Sequence, residues 1–227
     1  MYICFQCQSR YPVNNGWCVV CVTSGTIMLE PKRPRAGHRD GFQATSAREL
    51  LKRKWSMVES RAYPELRLGR GALLAAYGPP GGGKSTLATR WANGLEGPAV
   101  YYSAEERLGP TVAERLERCG VTRADFHVIG QGSIDEVIGF ARETKAHALV
   151  VDSLQAVTIR PEELRPLREA AGVDVLVVVS QVTKAGLAAG ENAVLHELDV
   201  VLRVEDMRWA IEKSRYQERI AGDVLAH

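Results

Sequence analysis

The sequence predicts an α/β fold: a mostly parallel sheet with helices between its strands, built around a phosphate-binding loop and preceded by a small Cys4 zinc ribbon. Three observations carry that prediction. Short apolar runs ending in a polar or acidic residue alternate with helical segments, the pattern of βα units whose ligand chemistry gathers at the strands' C-terminal ends. One run, Ala72–Tyr77, leads into Gly78-Pro79-Pro80-Gly81-Gly82-Gly83-Lys84-Ser85-Thr86, which fits G-x-x-x-x-G-K-[ST] with a strand before it and a helix after it. Four of the five cysteines stand in two C-x-x-C pairs near the N-terminus.

Composition narrows the class. The 227 residues suit one main domain with a small appendage, and 45% hydrophobic residues are ample for a core. No apolar run is long enough to span a bilayer, and Met1-Tyr2-Ile3-Cys4 opens neither a basic segment nor an apolar signal core, so a cytoplasmic location without membrane contact is expected. The net charge of +2 says little, but residues 31–71 hold eleven Lys/Arg against four Asp/Glu, a local +7 that leaves −5 for the rest. A basic segment beside a nucleotide-binding loop points toward nucleic acid.

The first module, residues 1–30, places Cys4 and Cys7 in one pair and Cys18 and Cys21 in the other, with ten residues between. Each C-x-x-C turn presents two thiolates to one ion, and two such turns close a tetrahedral S₄ site suited to Zn²⁺. With no open coordination position, the expected role is structural. A module this small cannot bury enough surface to fold alone, so the metal supplies its stability. The fifth cysteine, Cys119, ends a helix before Gly120 and is expected to pack there, not to bind metal.

Residues 31–65 read as a basic linker and helix. Pro31-Lys-Arg-Pro-Arg lacks apolar periodicity. Ser46 with Glu49 forms a capping-box pattern opening a helix whose Ala47, Leu50, Leu51, Trp55 and Val58 share one face.

The main domain, residues 66–227, begins with the phosphate loop. Its glycines bring backbone N–H groups close to a nucleotide phosphate, and the helix that follows adds its positive N-terminal end. Lys84 adds a full charge, and the Ser85 hydroxyl is placed to ligate Mg²⁺. Within the chain only Lys84 stands out as a phosphate cation near the loop. Next come a strand at 98–103 followed by Glu105-Glu106, a helix through 113–118, a strand at 126–129 and a helix at 134–144. Ala148–Ser153 is an apolar strand carrying Asp152, the acid that steers the Mg²⁺ hydration shell in P-loop enzymes. A helix at 161–171, a buried strand at 173–181 ending in Gln181, and strands at 199–204 and 209–213 complete the domain. Glu105, Asp152 and Gln181 all follow strands, where catalytic groups belong.

The order of these motifs resembles the bacterial RadA (Sms) family, relatives of RecA. The resemblance begins at Tyr2-Ile3-Cys4-x-x-Cys7 and Trp17-Cys18-x-x-Cys21, and continues through the P-loop, Tyr102-Ser103-Ala104-Glu105-Glu106 and Val151-Asp152-Ser153-Leu154-Gln155. Its most specific stretch is Val182-Thr183-Lys184-x-Gly186-x-x-Ala189-Gly190, running on to His196-x-x-Asp199, which is similar to the family's H-V-T-K-E-G…A-G-P…H…D. Lys213-Ser214-Arg215-Tyr216-Gln217 looks like a degenerate K-N-R-F-G motif. The match covers residues 1–30 and about 66–220.

The resemblance implies a RecA-type P-loop NTPase core that binds ATP with Mg²⁺, forms a homo-oligomeric, hexameric ring and acts on single-stranded or branched DNA in recombination or repair. By position, Glu105 orients the attacking water, with Glu106 the more exposed of the two. Lys213 and Arg215, two residues apart on a late strand, reach into a neighbour's ATP site, and residues 183–195 face DNA. The family's C-terminal Lon-protease-like domain has no counterpart before His227. The segment between Gln155 and Pro161 is short, the approach to the P-loop lacks G-x-x-x-L-D, and Gln217 replaces the motif's glycine; together these imply a minimal or divergent member. The readings that follow are a DNA-stimulated, ring-forming motor for branch migration or helicase-like work, a zinc-ribbon adaptor or loader for another recombination or replication protein, and an ATP-dependent switch without DNA. The basic segment and the Lys184–Gly190 loop favour the first over the third.

Overall fold

The computed structural model describes residues 45–157, 159–181 and 196–225, with short strands between residues 2 and 29. The chain divides into two compact units, Met1–Arg53 and Lys54–His227.

In the first unit β1 (Tyr2–Cys4) pairs antiparallel with β2 (Arg10–Tyr11) and β5 (Ile27–Leu29), while β3 (Trp17–Cys18) pairs with β4 (Thr23–Ser24). Cys4 lies opposite Ile27 and Cys18 opposite Thr23, whereas Cys7 and Cys21 lie outside the described residues. Helix α1 (Ala47–Lys52) opens with the capping box expected at Ser46 and Glu49: the Ser46 hydroxyl accepts from the Glu49 amide at 3.2 Å and the Glu49 carboxylate accepts from the Ser46 amide at 3.1 Å. The helix is shorter than its apolar spacing predicts. Arg53 turns to extended backbone at the C-cap, so Trp55 and Val58 do not join the helical face. Val58 belongs instead to β6 (Met57–Ser60), which forms a hairpin with β7 (Tyr63–Gly69) that the sequence reading did not anticipate.

The second unit is organised on an eight-stranded sheet among the described residues. In chain order its elements are β8 (Ala72–Gly78), α2 (Lys84–Asn93), β9 (Ala99–Ser103), α3 (Pro110–Arg118), β10 (Phe126–Ile129), α4 (Ile134–Glu143), β11 (Ala148–Asp152), α5 (Leu164–Ala171), β12 (Val175–Gln181), β13 (Val200–Glu205), β14 (Arg208–Ser214) and β15 (Ala221–Asp223). Strand order is β10-β9-β11-β12-β8-β13-β14-β15. The strands from β10 to β13 run parallel, and β14 and β15 close one side antiparallel.

Period-two alternation explains why the parallel strands read as continuous apolar runs. On β8, Ala72, Leu74 and Ala76 enter one core while Leu73 and Ala75 enter the other; on β12, Val175, Val177 and Val179 oppose Leu176 and Val178 in the same way. One core is covered by α2 through Leu87, Ala88, Trp91 and Ala92, with Tyr63, Leu66 and Leu68 of β7. The other is covered by Val137 and Ala141 of α4 and by Leu164, Leu167 and Ala171 of α5. Gln217, which replaces the glycine of the K-N-R-F-G pattern, stitches β7 in place: its Oε1 accepts from the Arg67 amide at 2.6 Å and its Nε2 donates to the Glu65 carbonyl at 2.8 Å.

Candidate nucleotide site

Sheet register assembles the site. Gln181 lies beside Gly78, and Asp152 stands beside Ser103 on one side and Val179 on the other. The ends of β8, β9, β11 and β12 therefore present the P-loop, Glu105, Asp152 and Gln181 at one edge. The Asp152 carbonyl also accepts from the Ala104 amide at 2.7 Å and the Glu105 amide at 3.3 Å, which fixes the backbone under the carboxylate.

The P-loop is clamped against the turn between β13 and β14. A Cβ at Gly82 would lie 2.9 Å from the Val204 carbonyl oxygen, and the Met207 amide donates to the Gly82 carbonyl at 3.1 Å. Lys84 is 6% exposed and donates to the Pro79 carbonyl at 2.7 Å. Burial lowers its pKa from the usual lysine value, opposed by the charges of Asp152 and Glu105. Those two acids thus face the cation from which the sequence expects phosphate contact.

Glu105 is held on two sides: the Ser153 hydroxyl donates to it at 2.9 Å, and the Gln181 side-chain amide donates to its two oxygens at 2.8 and 3.0 Å. Gln155, a residue of the Val151–Gln155 motif, braces the end of β12, its Nε2 donating to the Ser180 hydroxyl at 2.7 Å and the Gln181 carbonyl at 3.1 Å. Glu106 points elsewhere, onto Arg115 at 2.7 Å. It is the less exposed of the two glutamates, contrary to the expectation above, because that ion pair draws it inward.

Further cations reach the phosphate loop. A cleft of about 470 Å³ beside the loop is lined by Gly81, Gly83, Lys84, Ser85 and Thr86, and also by Glu106, by Arg115 and Arg118 of α3 and by Met207 and Leu225. Lys84 is therefore not the cleft's lone cation. The spacing Val112–Arg115–Cys119 was the available signal, since i, i+3 and i+7 share a helix face and Val112 and Cys119 are both buried. Cys119 packs with its thiol 3.8 Å from the Thr86 carbonyl, and burial raises its pKa. A cleft of similar size, about 480 Å³, is lined by Arg61, Glu96, Arg70, His147 and Asp174, but these are paired with one another. It offers no comparable set of phosphate-binding groups.

Asp152 is 8% exposed, and its Oδ2 accepts from the Tyr101 hydroxyl. Burial pushes the pKa of that hydroxyl well above the ordinary tyrosine value, so it remains a donor. An oxygen-rich set of Ser85 and Asp152 suits Mg²⁺, a hard cation that takes one or two protein oxygens along with phosphate and water.

Lys213 and Arg215 stand apart. Ser214 pairs with Val200, which pairs with Leu74, so the end of β14 lies level with the middle of β8, four residues or about 13 Å from Gly78. There Arg215 meets Asp199 at 3.1 Å and donates to the His196 carbonyl at 3.2 Å, while Lys213 donates to the same carbonyl at 3.4 Å. Asp199 is 4% exposed, also pairs with Arg165 at 3.1 Å, and accepts from the Leu73 amide at 2.9 Å. Lys184 and residues 182–195 lie outside the described residues, as do residues 30–44 of the basic segment. No helix among the described residues is long and apolar enough to cross a membrane.

The sheet, the P-loop and the strand-end acids define a RecA-type P-loop ATPase fold. A solved ATPase domain shares that fold, with a TM-score of 0.53 at 11% identity over 67% of this chain and 80% of that one. Over nine tenths of its length the chain is similar to RadA proteins: it is 30% identical to the DNA repair protein RadA of Mycolicibacterium smegmatis over 91% of this chain and 52% of that protein. It is 27% identical to the Bacillus subtilis RadA, again over 91% of the chain, and 27% identical to the Escherichia coli RadA over 87%. The chain spans about half the length of the curated relatives it matches. A scan against protein-family models matches none.

Proposed function

We propose that this protein is a DNA-stimulated ATPase of the RadA type, working as a ring on single-stranded or branched DNA during recombination or repair. The observation that carries the reading is the convergence of Lys84, Glu105, Asp152 and Gln181 at one sheet edge beside a cleft lined by the P-loop. The named activity of the RadA relatives supports its direction toward DNA.

In this reading the P-loop amides, Lys84 and Arg118 of α3 bind the triphosphate. Ser85 and Asp152 would hold Mg²⁺, which when bound would supply neutralisation of the charge on the phosphoryl group. Glu105 orients the attacking water and Gln181 sets the orientation of Glu105. Lys213 and Arg215, remote from their own P-loop, act on a neighbour's nucleotide and so require the ring. Cys4, Cys7, Cys18 and Cys21 bind one structural zinc.

The test is ATP turnover with and without single-stranded DNA at two salt concentrations, beside a mass measurement with nucleotide. Stimulation that weakens with salt and a multimeric mass are expected, because phosphate contacts dominate DNA affinity, and Lys84→Ala is expected to abolish turnover. Nucleotide binding without turnover would favour the adaptor or loader; turnover indifferent to DNA would favour the switch.

A further inference from the structure

We propose that Tyr101 is a positioning residue for Asp152, held in place by the buried Arg115 and its half-buried partner Glu106. The inference rests on the reading that this cleft binds Mg²⁺-nucleotide.

Tyr101 on β9 pairs with Val150 on β11, two residues before Asp152, so all three side chains lie on one face of the sheet. The ring is 1% exposed and its hydroxyl donates to Asp152 Oδ2. A buried phenol hydroxyl is costly unless bonded. Here the bond also fixes the carboxylate's rotation and occupies one oxygen, directing Oδ1 to the remaining partner.

The ring is fixed in turn. Phe126 stacks on it with centroids 6.4 Å apart at 28°, and the Arg115 guanidinium lies 5.5 Å from its centroid. The Arg115 side chain is 8% exposed; Nη1 donates to Glu106 at 2.7 Å, whereas the buried Nε and Nη2 have no hydrogen-bond partner. Leaving two buried guanidinium donors unpaired is unfavourable. The Tyr101 face and Glu106 together compensate that position through cation–π attraction and an ion pair. The chain Glu106–Arg115–Tyr101–Asp152 thereby connects the residue after Glu105 to the acid that holds the metal. Groups that orient a metal-holding carboxylate typically influence affinity or activity by about 10–100-fold.

The experiment titrates MgCl₂ into the full chain with a fluorescent ATP analogue, comparing wild type, Tyr101→Phe and Arg115→Lys, with thermal melting as a check on folding. Tyr101→Phe keeps the ring and loses only the hydroxyl. Its Mg²⁺ midpoint is expected to rise about 10-fold, with analogue binding in EDTA unchanged and kcat lowered at constant KM. Arg115→Lys keeps the charge but loses the planar stack, and is expected to shift the Mg²⁺ midpoint in the same direction; it carries the test if Tyr101→Phe does not fold. Mg²⁺ curves of the folded variants that superpose on a Mg²⁺-dependent wild-type curve overturn the proposal. A wild type that binds no nucleotide overturns the nucleotide-site reading itself, and this inference with it.

Discussion

Replacing Gly78 and Gly81 separately by alanine would show whether the P-loop is shaped by its own backbone or by the turn packed against it. Both glycines have positive φ, 152° at Gly78 and 74° at Gly81. A side chain at either meets a backbone cost of about 1–2 kcal/mol, partly offset because alanine restricts the unfolded chain. Their surroundings differ. A Cβ at Gly81 meets nothing within 4 Å, whereas at Gly78 it overlaps the Val204 carbonyl oxygen on β13, a backbone atom that cannot rotate away. Overpacking of that kind adds about 1–3 kcal/mol. With the offset applied to both, the expected losses are about 1 kcal/mol for Gly81→Ala and about 2–4 kcal/mol for Gly78→Ala. For a unit of this size each kcal/mol lowers Tm by about 2–4 °C. Thermal melting without nucleotide should therefore show a drop of about 2–4 °C for Gly81→Ala and about 4–16 °C for Gly78→Ala. Equal losses, or a larger one at Gly81, would refute the argument that β13 clamps the loop.

Three further predictions concern the chemistry. Glu105→Gln should lower turnover by about 10²–10⁴-fold, while Glu106→Gln, which loses only a partner of Arg115, should stay within about tenfold of wild type; steady-state ATPase assays decide, and the reverse order would exchange the two roles. Arg215→Ala should bind ATP nearly as wild type yet fail to hydrolyse it, and mixing it with Lys84→Ala protein should restore partial turnover at hybrid interfaces; an active Arg215→Ala monomer would leave Arg215 as a partner of Asp199 alone. Metal analysis of protein purified without chelator should find one zinc per chain, lost when Cys4 and Cys7 are both replaced by serine, and a zinc-free wild type would sink the ribbon assignment.

Gln181 illustrates what sequence and structure each contribute. Its position after a buried apolar run marks it as a strand-end polar group, because strand periodicity and the turn chemistry of glycine act over a few residues. That its amide reaches Glu105 depends on β9 and β12 flanking β11, a strand order that no local pattern encodes. The Met57–Ser60 strand escaped the reading for a related reason. Its apolar residues also fit a helical face, and only pairing with Tyr63–Gly69, whose Tyr63, Leu66 and Leu68 enter the α2 core, selects the hairpin.

By itself, then, the sequence determined the phosphate loop, the alternation of strands and helices and the acids that end the strands, since each is written in spacing of two, three or four residues. Only the tertiary structure decided which of those groups meet. It turned Glu106 inward, brought Arg115 and Arg118 of α3 to the P-loop cleft, placed Tyr101 against Asp152, and carried Lys213 and Arg215 away from their own P-loop. Apart from the Glu106–Arg115 pair, which spans nine positions, those outcomes depend on sheet order and on the register of residues tens of positions apart. There the free energy of burying and pairing charged groups across the fold, not the local sequence, selects the partner.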